Sequence, residues 1–276
     1  MIATLPRLHA VTDDRVVGAG GVAERATAMA AAAGSSLAVH LRTRLLDGRA
    51  LLDLARRLGE AVAPHGSWLV VNDRADVARA AHAQAVVSGR AGLAVHDLRR
   101  VAPSLAVGRS VHDAGEARAA DTEGADFLVA GPVFATASHP DAAPAGPALL
   151  EAAGSGGRQV IAIGGLAPAN AGTAVAAGAW GVAAIRALWD AADPADAARA
   201  FLAVLPAAAT IALLVNGESR AVAAGTTLGG LLAQLGLDPR AVVVEHNRCI
   251  VRRDGLGATR LAEGDAVELV HFVGGG

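Results

Sequence analysis

The sequence predicts an α/β protein, a (β/α)8 TIM barrel followed by a small ubiquitin-like β-grasp domain, and three observations lead there. Short apolar runs alternate with alanine-rich helical stretches through residues 1–206. From Thr210 the pattern changes to a hairpin, one helix and further strands. An apolar strand then runs into Gly274-Gly275-Gly276. A length of 276 residues suits about two domains.

In the first region strands are expected at Leu8 to Thr12, Leu37 to Leu41, Trp68 to Val71, Ala85 to Val87, Leu105 to Arg109, Phe127 to Ala130, Gln159 to Ile163 and Gly181 to Ile185. A helical pattern follows each. Repeated strand and helix imply parallel strands with crossover helices, and this number of units favours a closed barrel over an open sheet. Residues 207–209 form a short apolar linker, and 210–276 form the second domain. There, Ile211 to Val215 and Ser219 to Ala223 flank Asn216-Gly217, the strongest short hairpin signal. Gly225-Thr226-Thr227 opens a helix, with Thr226 or Thr227 as N-cap and Leu228, Leu231, Leu232 and Leu235 along one face. Gly236 ends that helix, and Ala241 to Glu245, Cys249 to Val251 and Ala266 to Val273 complete the sheet.

Composition narrows the function classes. A net charge of −2 without a basic cluster argues against nucleic-acid and membrane-surface partners. Much of the 53% apolar fraction is alanine interrupted by charges, and no apolar run reaches the roughly 18 residues that span a bilayer. The N-terminus lacks a charged segment followed by an apolar core, so a cytoplasmic location is expected. The single cysteine, Cys249, rules out a disulfide framework and a cysteine-clustered zinc site; it is expected to pack within its strand. No metal site is expected.

In such barrels the chemistry sits where strands end. Those positions are Asp13, Arg42, Arg44, Asn72, Asp73, Ser88, Ser110, His112, Gly131 to Thr136, Gly164, Gly165, Ile185 and Arg186. Side-chain alternation turns Val39 and Leu41 toward the helices and His40 and Arg42 into the lumen. By the same logic Ala106, Gly108, Ser110 and His112 share a face, with small residues below leaving room for a ligand above. Two arginines at one strand end suit a phosphate or carboxylate, or else are ion-paired at the rim. Gly164-Gly165 suits a phosphate-binding turn that uses accessible backbone N–H groups. A lumenal histidine is more often a hydrogen-bonded core residue than a catalyst, and His9, His65, His82 and His96 are expected to have no chemical role.

At the C-terminal end, Leu214-Val215-Asn216-Gly217-Glu218, Gly225-Thr226-Thr227-Leu228, Leu261-Ala262-Glu263-Gly264-Asp265 and the final Gly275-Gly276 resemble the ThiS family of thiamine-biosynthesis sulfur carriers. The resemblance covers nearly all of residues 209–276. It implies that a ThiF-like adenylating enzyme activates Gly276 with ATP, that a sulfur donor converts it to a thiocarboxylate, and that thiazole synthase receives the sulfur. Gly274 is a departure that lengthens the flexible arm.

In the first region, Leu8-His9-Ala10-Val11-Thr12-Asp13-Asp14, Val39-His40-Leu41-Arg42, Val71-Asn72, Gly108-Arg109-Ser110-Val111-His112, Gly131-Pro132-Val133-Phe134-Ala135-Thr136 and Val160-Ile161-Ala162-Ile163-Gly164-Gly165 resemble the thiamine phosphate synthase superfamily. The opening motif and Gly-Arg-Ser-Val-His are closer to its TenI branch, which implies a thiazole tautomerase. Such an enzyme moves a proton so that thiazole carboxylate phosphate becomes aromatic, and it needs no cofactor.

Departures separate the branches. Synthases hold a pyrophosphate through magnesium with an acidic ligand after the fourth strand, where this chain has Gly89-Arg90-Ala91-Gly92-Leu93; Asp73 remains. The lysine after the sixth-strand threonine motif is absent, with Ser138-His139-Pro140 in that region. The histidine of the tautomerase Gly-His-Val-Phe motif falls on Pro132, which cannot transfer a proton. A displaced base is therefore expected at His112 or His40, with His139 a third candidate. Gly164, Gly165, Ile185 and Arg186 would hold the phosphate and Arg42 the carboxylate, with Asn72, Ser110 and Thr136 completing the substrate site. The rival readings are a residual thiamine phosphate synthase, a non-catalytic docking module for the carrier, and a protein-tagging role for Gly276. The sequence is compatible with a homodimer.

Overall fold

The computed structural model describes residues 5–136, 143–206, 210–223, 226–256, 259 and 261–271. They form two compact units, one over Pro6–Pro206 and the other within the residues that follow. The sulfur-carrier glycines Gly275 and Gly276, the linker 207–209, Gly225 and Ser138-His139-Pro140 lie outside the described residues.

In the first unit eight parallel strands close into a barrel in chain order. They are β1 (Leu8–Val11), β2 (Leu37–Leu41), β3 (Trp68–Asn72), β4 (Ala85–Ser88), β5 (Ala106–Val111), β6 (Phe127–Ala130), β7 (Gln159–Ile163) and β8 (Gly181–Ala184). Strand alternation divides them cleanly. Leu8, Ala10, Val39, Leu41, Leu69, Val71, Val107 and Val111 pack in the main hydrophobic core. The residues between them, including His9, His40, Asn72 and Gly108, therefore face the lumen. Closure brings β8 against the segment entering β1, where a Cβ on Gly181 would lie 2.3 Å from the Arg7 carbonyl oxygen.

One expectation for the lumen is corrected. Gly108 does not leave room for a ligand, because the Phe127 ring fills that space, 2.5 Å from where a Gly108 Cβ would stand. Phe127 is fully buried, so the glycine serves core packing rather than binding.

The second unit is a five-stranded sheet in the order β10-β9-β13-β11-β12. Its strands are β9 (Thr210–Val215), β10 (Glu218–Ala223), β11 (Val242–His246), β12 (Cys249–Val251) and β13 (Ala266–His271). β13 runs parallel to β9, and the remaining pairs are antiparallel. Asn216 and Gly217 take φ of 50° and 79°, the conformation a two-residue hairpin needs to match strand twist. The Thr227 hydroxyl accepts from the Gly230 amide at 3.1 Å, capping the helix Leu228–Gln234. Leu228, Leu231 and Leu232 of that helix are buried with Leu213, Val215 and Val267 of the sheet. Cys249 is exposed, contrary to the packing role expected of it. The reason is topological: β12 is an edge strand paired only to β11, and its Ile250 is 71% exposed. Among the described residues no helix is long and apolar enough to cross a membrane.

Candidate functional site

Two histidines meet inside the barrel. His9 and His40 are 0% and 2% exposed, and His9 Nδ1 lies 2.7 Å from His40 Nε2. The other His9 nitrogen, Nε2, lies 2.9 Å from the Pro6 carbonyl oxygen. Burial pushes His9 down to about 4. Burial first, and then the neighbouring His9, hold His40 well below the ordinary imidazole value, and its side chain also meets Asn72. Both rings are therefore neutral near pH 7. Burial, which favours the neutral ring, disfavours the proton-shuttling role expected of His40. His9, expected to have no role, is its direct partner. The missed signal was the strand register, in which His9 pairs with Ala38, two residues before His40 on the same face.

His112 stands differently. It follows β5 at the rim, is 40% exposed, and its Nδ1 lies 2.9 Å from Glu116 Oε2. The His112 amide donates to the same oxygen at 2.8 Å, and Arg90 donates to Glu116 Oε1 at 2.7 Å. Partial burial raises the Glu116 carboxyl, but hydrogen bonds from the His112 ring and amide and from Arg90 outweigh it and hold the pKa below its ordinary value. A carboxylate that accepts Nδ1–H leaves Nε2 as the basic nitrogen.

The turns after β3 and β4 are locked together. Asp73 takes a positive φ of 62°, and its Oδ1 accepts from the Gly89 amide at 2.8 Å. Arg109 donates to the Ser88 hydroxyl at 2.8 Å and to the Leu93 carbonyl at 3.0 Å. Ser88 in turn donates to the Leu93 carbonyl at 2.7 Å. A Cβ on Gly92 would stand 2.4 Å from Ser88 Oγ and 2.8 Å from Asp73 Oδ1. These turns offer one carboxylate, Asp73, whose Oδ1 is engaged by the Gly89 amide, and a second carboxylate at Gly92 would crowd Ser88 Oγ and Asp73 Oδ1.

Opposite, the turns after β6 and β7 interlock. The Gly131-Pro132 bond is cis, the Val133 amide donates to the Ile163 carbonyl at 2.9 Å, and the Phe134 amide donates to the Gly164 carbonyl at 3.0 Å. Gly164 and Gly165 have φ of 100° and 65°, and Cβ atoms there would lie 2.6 Å from Pro132 Cα and 2.4 Å from the Ala135 carbonyl oxygen. Both glycines are thus required by close approach, whatever ligand the turn receives. Ser110, Thr136 and Ile185 are half-buried at this end, and Arg186 is exposed. Arg42 is half-buried; its amide and carbonyl both bond the Thr12 hydroxyl at 2.9 Å. The Asp14 carboxyl is held below its ordinary value, first by the Arg44 amide and last by the charge of Arg42, although neither arginine side chain is ion-paired among the described residues. Asp13 is structural, accepting from the Val16 amide at 2.8 Å as the N-cap of Asp14–Ala19.

The pattern of the family described as thiamine monophosphate synthase matches residues 8–188, and that of the ThiS family matches residues 213–276. The thiamine-phosphate synthase of Xanthobacter autotrophicus is 40% identical over 204 residues, covering 73% of this chain and 96% of that protein. A thiamine biosynthesis bifunctional protein ThiM/ThiE of Symbiobacterium thermophilum is 44% identical over 167 residues, 59% of this chain, but the chain spans only 35% of its length. Among solved structures, a thiamine phosphate pyrophosphorylase from Pyrococcus furiosus aligns with a TM-score of 0.65 at 28% identity, covering 72% of this chain and 94% of that one. These relatives are named for the synthase, not for TenI. The chain belongs to the thiamine monophosphate synthase family, its barrel joined to a ThiS-family domain.

Proposed function

We propose that the protein acts in the thiazole branch of thiamine biosynthesis, the barrel isomerising a thiazole carboxylate phosphate to its aromatic form and Gly276 carrying sulfur as a thiocarboxylate. The observation that carries the barrel half is the His112–Glu116 pair at the rim, an oriented imidazole with one basic nitrogen. His112 Nε2 takes a proton from one carbon of the non-aromatic ring system and returns it to another. No bond to a leaving group breaks and no electrons are exchanged with a second molecule, so aromatisation alone drives the step. Arg42 takes the substrate carboxylate, and the turn at Gly164 and Gly165 with Ile185 and Arg186 takes the phosphate. Asn72, Ser110 and Thr136 border the same mouth.

A second reading, thiamine-phosphate synthase, is the one the named relatives favour, at 40% identity over nearly the whole of one such protein. The single carboxylate offered by the β3 and β4 turns speaks against it. Incubating the chain separately with thiazole carboxylate phosphate in EDTA, and with thiazole phosphate, pyrimidine pyrophosphate and magnesium, distinguishes the two. Isomerisation in EDTA supports the first reading, and magnesium-dependent thiamine phosphate supports the second.

For the carrier half the partners are a ThiF-like adenylating enzyme, which uses ATP and a sulfur donor, and thiazole synthase. The match to the ThiS family through residue 276 supports this. Loading should raise the intact mass by roughly 16 Da as sulfur replaces one terminal oxygen. An unchanged mass with a competent partner enzyme overturns it. Tethering a carrier used just before ring closure to an isomerase acting just after it raises their local concentration without new contacts.

A further inference from the structure

The second unit holds a cleft of about 400 Å³ lined by Gly229, Asp238, Pro239, Arg240, Arg253 and Leu256. Leu256 belongs to the buried core of the unit and gives the cleft an apolar floor, while Asp238, Arg240 and Arg253 are exposed. The carboxylate is fully engaged. Asp238 accepts from Arg240 Nε at 3.1 and 3.0 Å, from its Nη2 at 2.8 Å and from the Arg240 amide at 2.8 Å, bonds that hold it down to about 2. Arg253 acts on Asp238 only through its charge, and among the described residues it has no hydrogen-bond or ion-pair partner. An apolar surface beside one uncommitted guanidinium suits an apolar segment that ends in a carboxylate.

The sheet brings such a segment to the same end of the unit. β13 finishes beside the start of β11, where His271 pairs with Val242, and Arg240 lies two residues before Val242. Two residues span at most roughly 7 Å and neighbouring strands lie about 5 Å apart, whereas the five residues after His271 reach about 17 Å. Those residues, Phe272-Val273-Gly274-Gly275-Gly276, lie outside the described residues. Their sequence supplies two apolar side chains and then three glycines that obstruct nothing.

We infer that the cleft between Pro239 and Leu256 is a docking site for the chain's own C-terminal segment, with Phe272 and Val273 against the apolar floor and the Gly276 carboxylate on Arg253. The apolar contact supplies affinity that an exposed ion pair lacks by itself. A docked carboxylate is withheld from an activating enzyme, so the segment must leave the cleft before Gly276 is modified. The inference rests on the sulfur-carrier reading for the terminal carboxylate, but the contact needs no partner enzyme.

NMR of the full chain tests it. Nuclear Overhauser contacts should join Phe272 or Val273 to Leu256, and the Gly275 and Gly276 amide signals should stand away from those of an unstructured glycine. Arg253→Met should lower the docked population about two- to fivefold, high salt should do the same, and Arg253→Lys should restore most of it. Unchanged signals from Leu228 and Val267 would show that each variant is folded. Absence of contacts to Leu256, or a Gly276 amide unmoved by both Arg253→Met and salt, overturns the docking. Contacts that weaken on dilution assign the cleft to the segment of another copy and overturn self-docking. Loading followed by intact mass separates this inference from the carrier reading. A segment that docks in a chain that is never loaded contradicts the carrier reading, and a Gly276 that is loaded yet never docks overturns only the cleft.

Discussion

The interior and the rim of the barrel use the same side chain for opposite ends. His40 is sealed beside His9, with its pKa driven far down by burial. His112 is 40% exposed beside Glu116, whose ionised form is held by three donors. Placement alone therefore separates an imidazole sealed in the lumen from one open to a ligand at the rim. A histidine's role is decided by what its second nitrogen faces, a property of strand register and depth rather than of residue type.

The largest expected effect would break that contrast most directly. His112→Gln should lower the isomerisation kcat by roughly 10²–10⁴-fold, the range for removal of a general acid–base group. Turnover followed by NMR would show it.

The next effect concerns the interior. His9 has a folded pKa of about 4 against 6.5 unfolded, so as pH falls from neutrality the unfolded chain binds protons first. Stability should be full above about pH 6.5 and fall toward pH 4, by about 3 kcal/mol from His9 alone. Urea midpoints at pH 7 and pH 5 test this, and His9→Phe should reduce the difference between them.

Smaller still is Gly92→Asp. The new Cβ meets Ser88 Oγ and Asp73 Oδ1, so a loss of about 1–3 kcal/mol is expected by thermal melting. A stable variant that also bound manganese would show that the rim can still form a metal site. The smallest effect is a control in the other unit. Thr227→Ala removes a helix cap, should cost about 1 kcal/mol in the C-terminal unit, and should leave barrel kinetics unchanged.

Much of the fold was legible because β-strand patterning and turn residues carry it. β2, β6 and β7 have the bounds that their apolar runs suggest, and Asn216-Gly217 makes the expected hairpin. β3 and β5 extend past theirs, to Asn72 and Val111, because pairing with Val87 and Ala130 continues under polar residues. The turn at Asn247 and Arg248, with φ of 50° and 67°, was hidden since arginine is not a turn residue. Asn247 holds that turn through Asp265 at 2.8 Å and the Ala266 amide at 2.9 Å. The site was legible residue by residue at the strand ends, but not in its pairings. The partner of His40 comes from the neighbouring strand, the space at Gly108 belongs to Phe127, and the Gly164-Gly165 turn is shaped by Pro132 and Ala135. Each of these depends on distances between segments far apart in the chain.

One measurement tests the central claim most directly: steady-state isomerisation of thiazole carboxylate phosphate by wild type, His112→Gln and His9→Phe, all in EDTA. The account predicts that His112→Gln loses kcat while His9→Phe keeps it within a few-fold. Full activity of His112→Gln, or loss of kcat confined to His9→Phe, would contradict it and place the proton-transfer step in the interior.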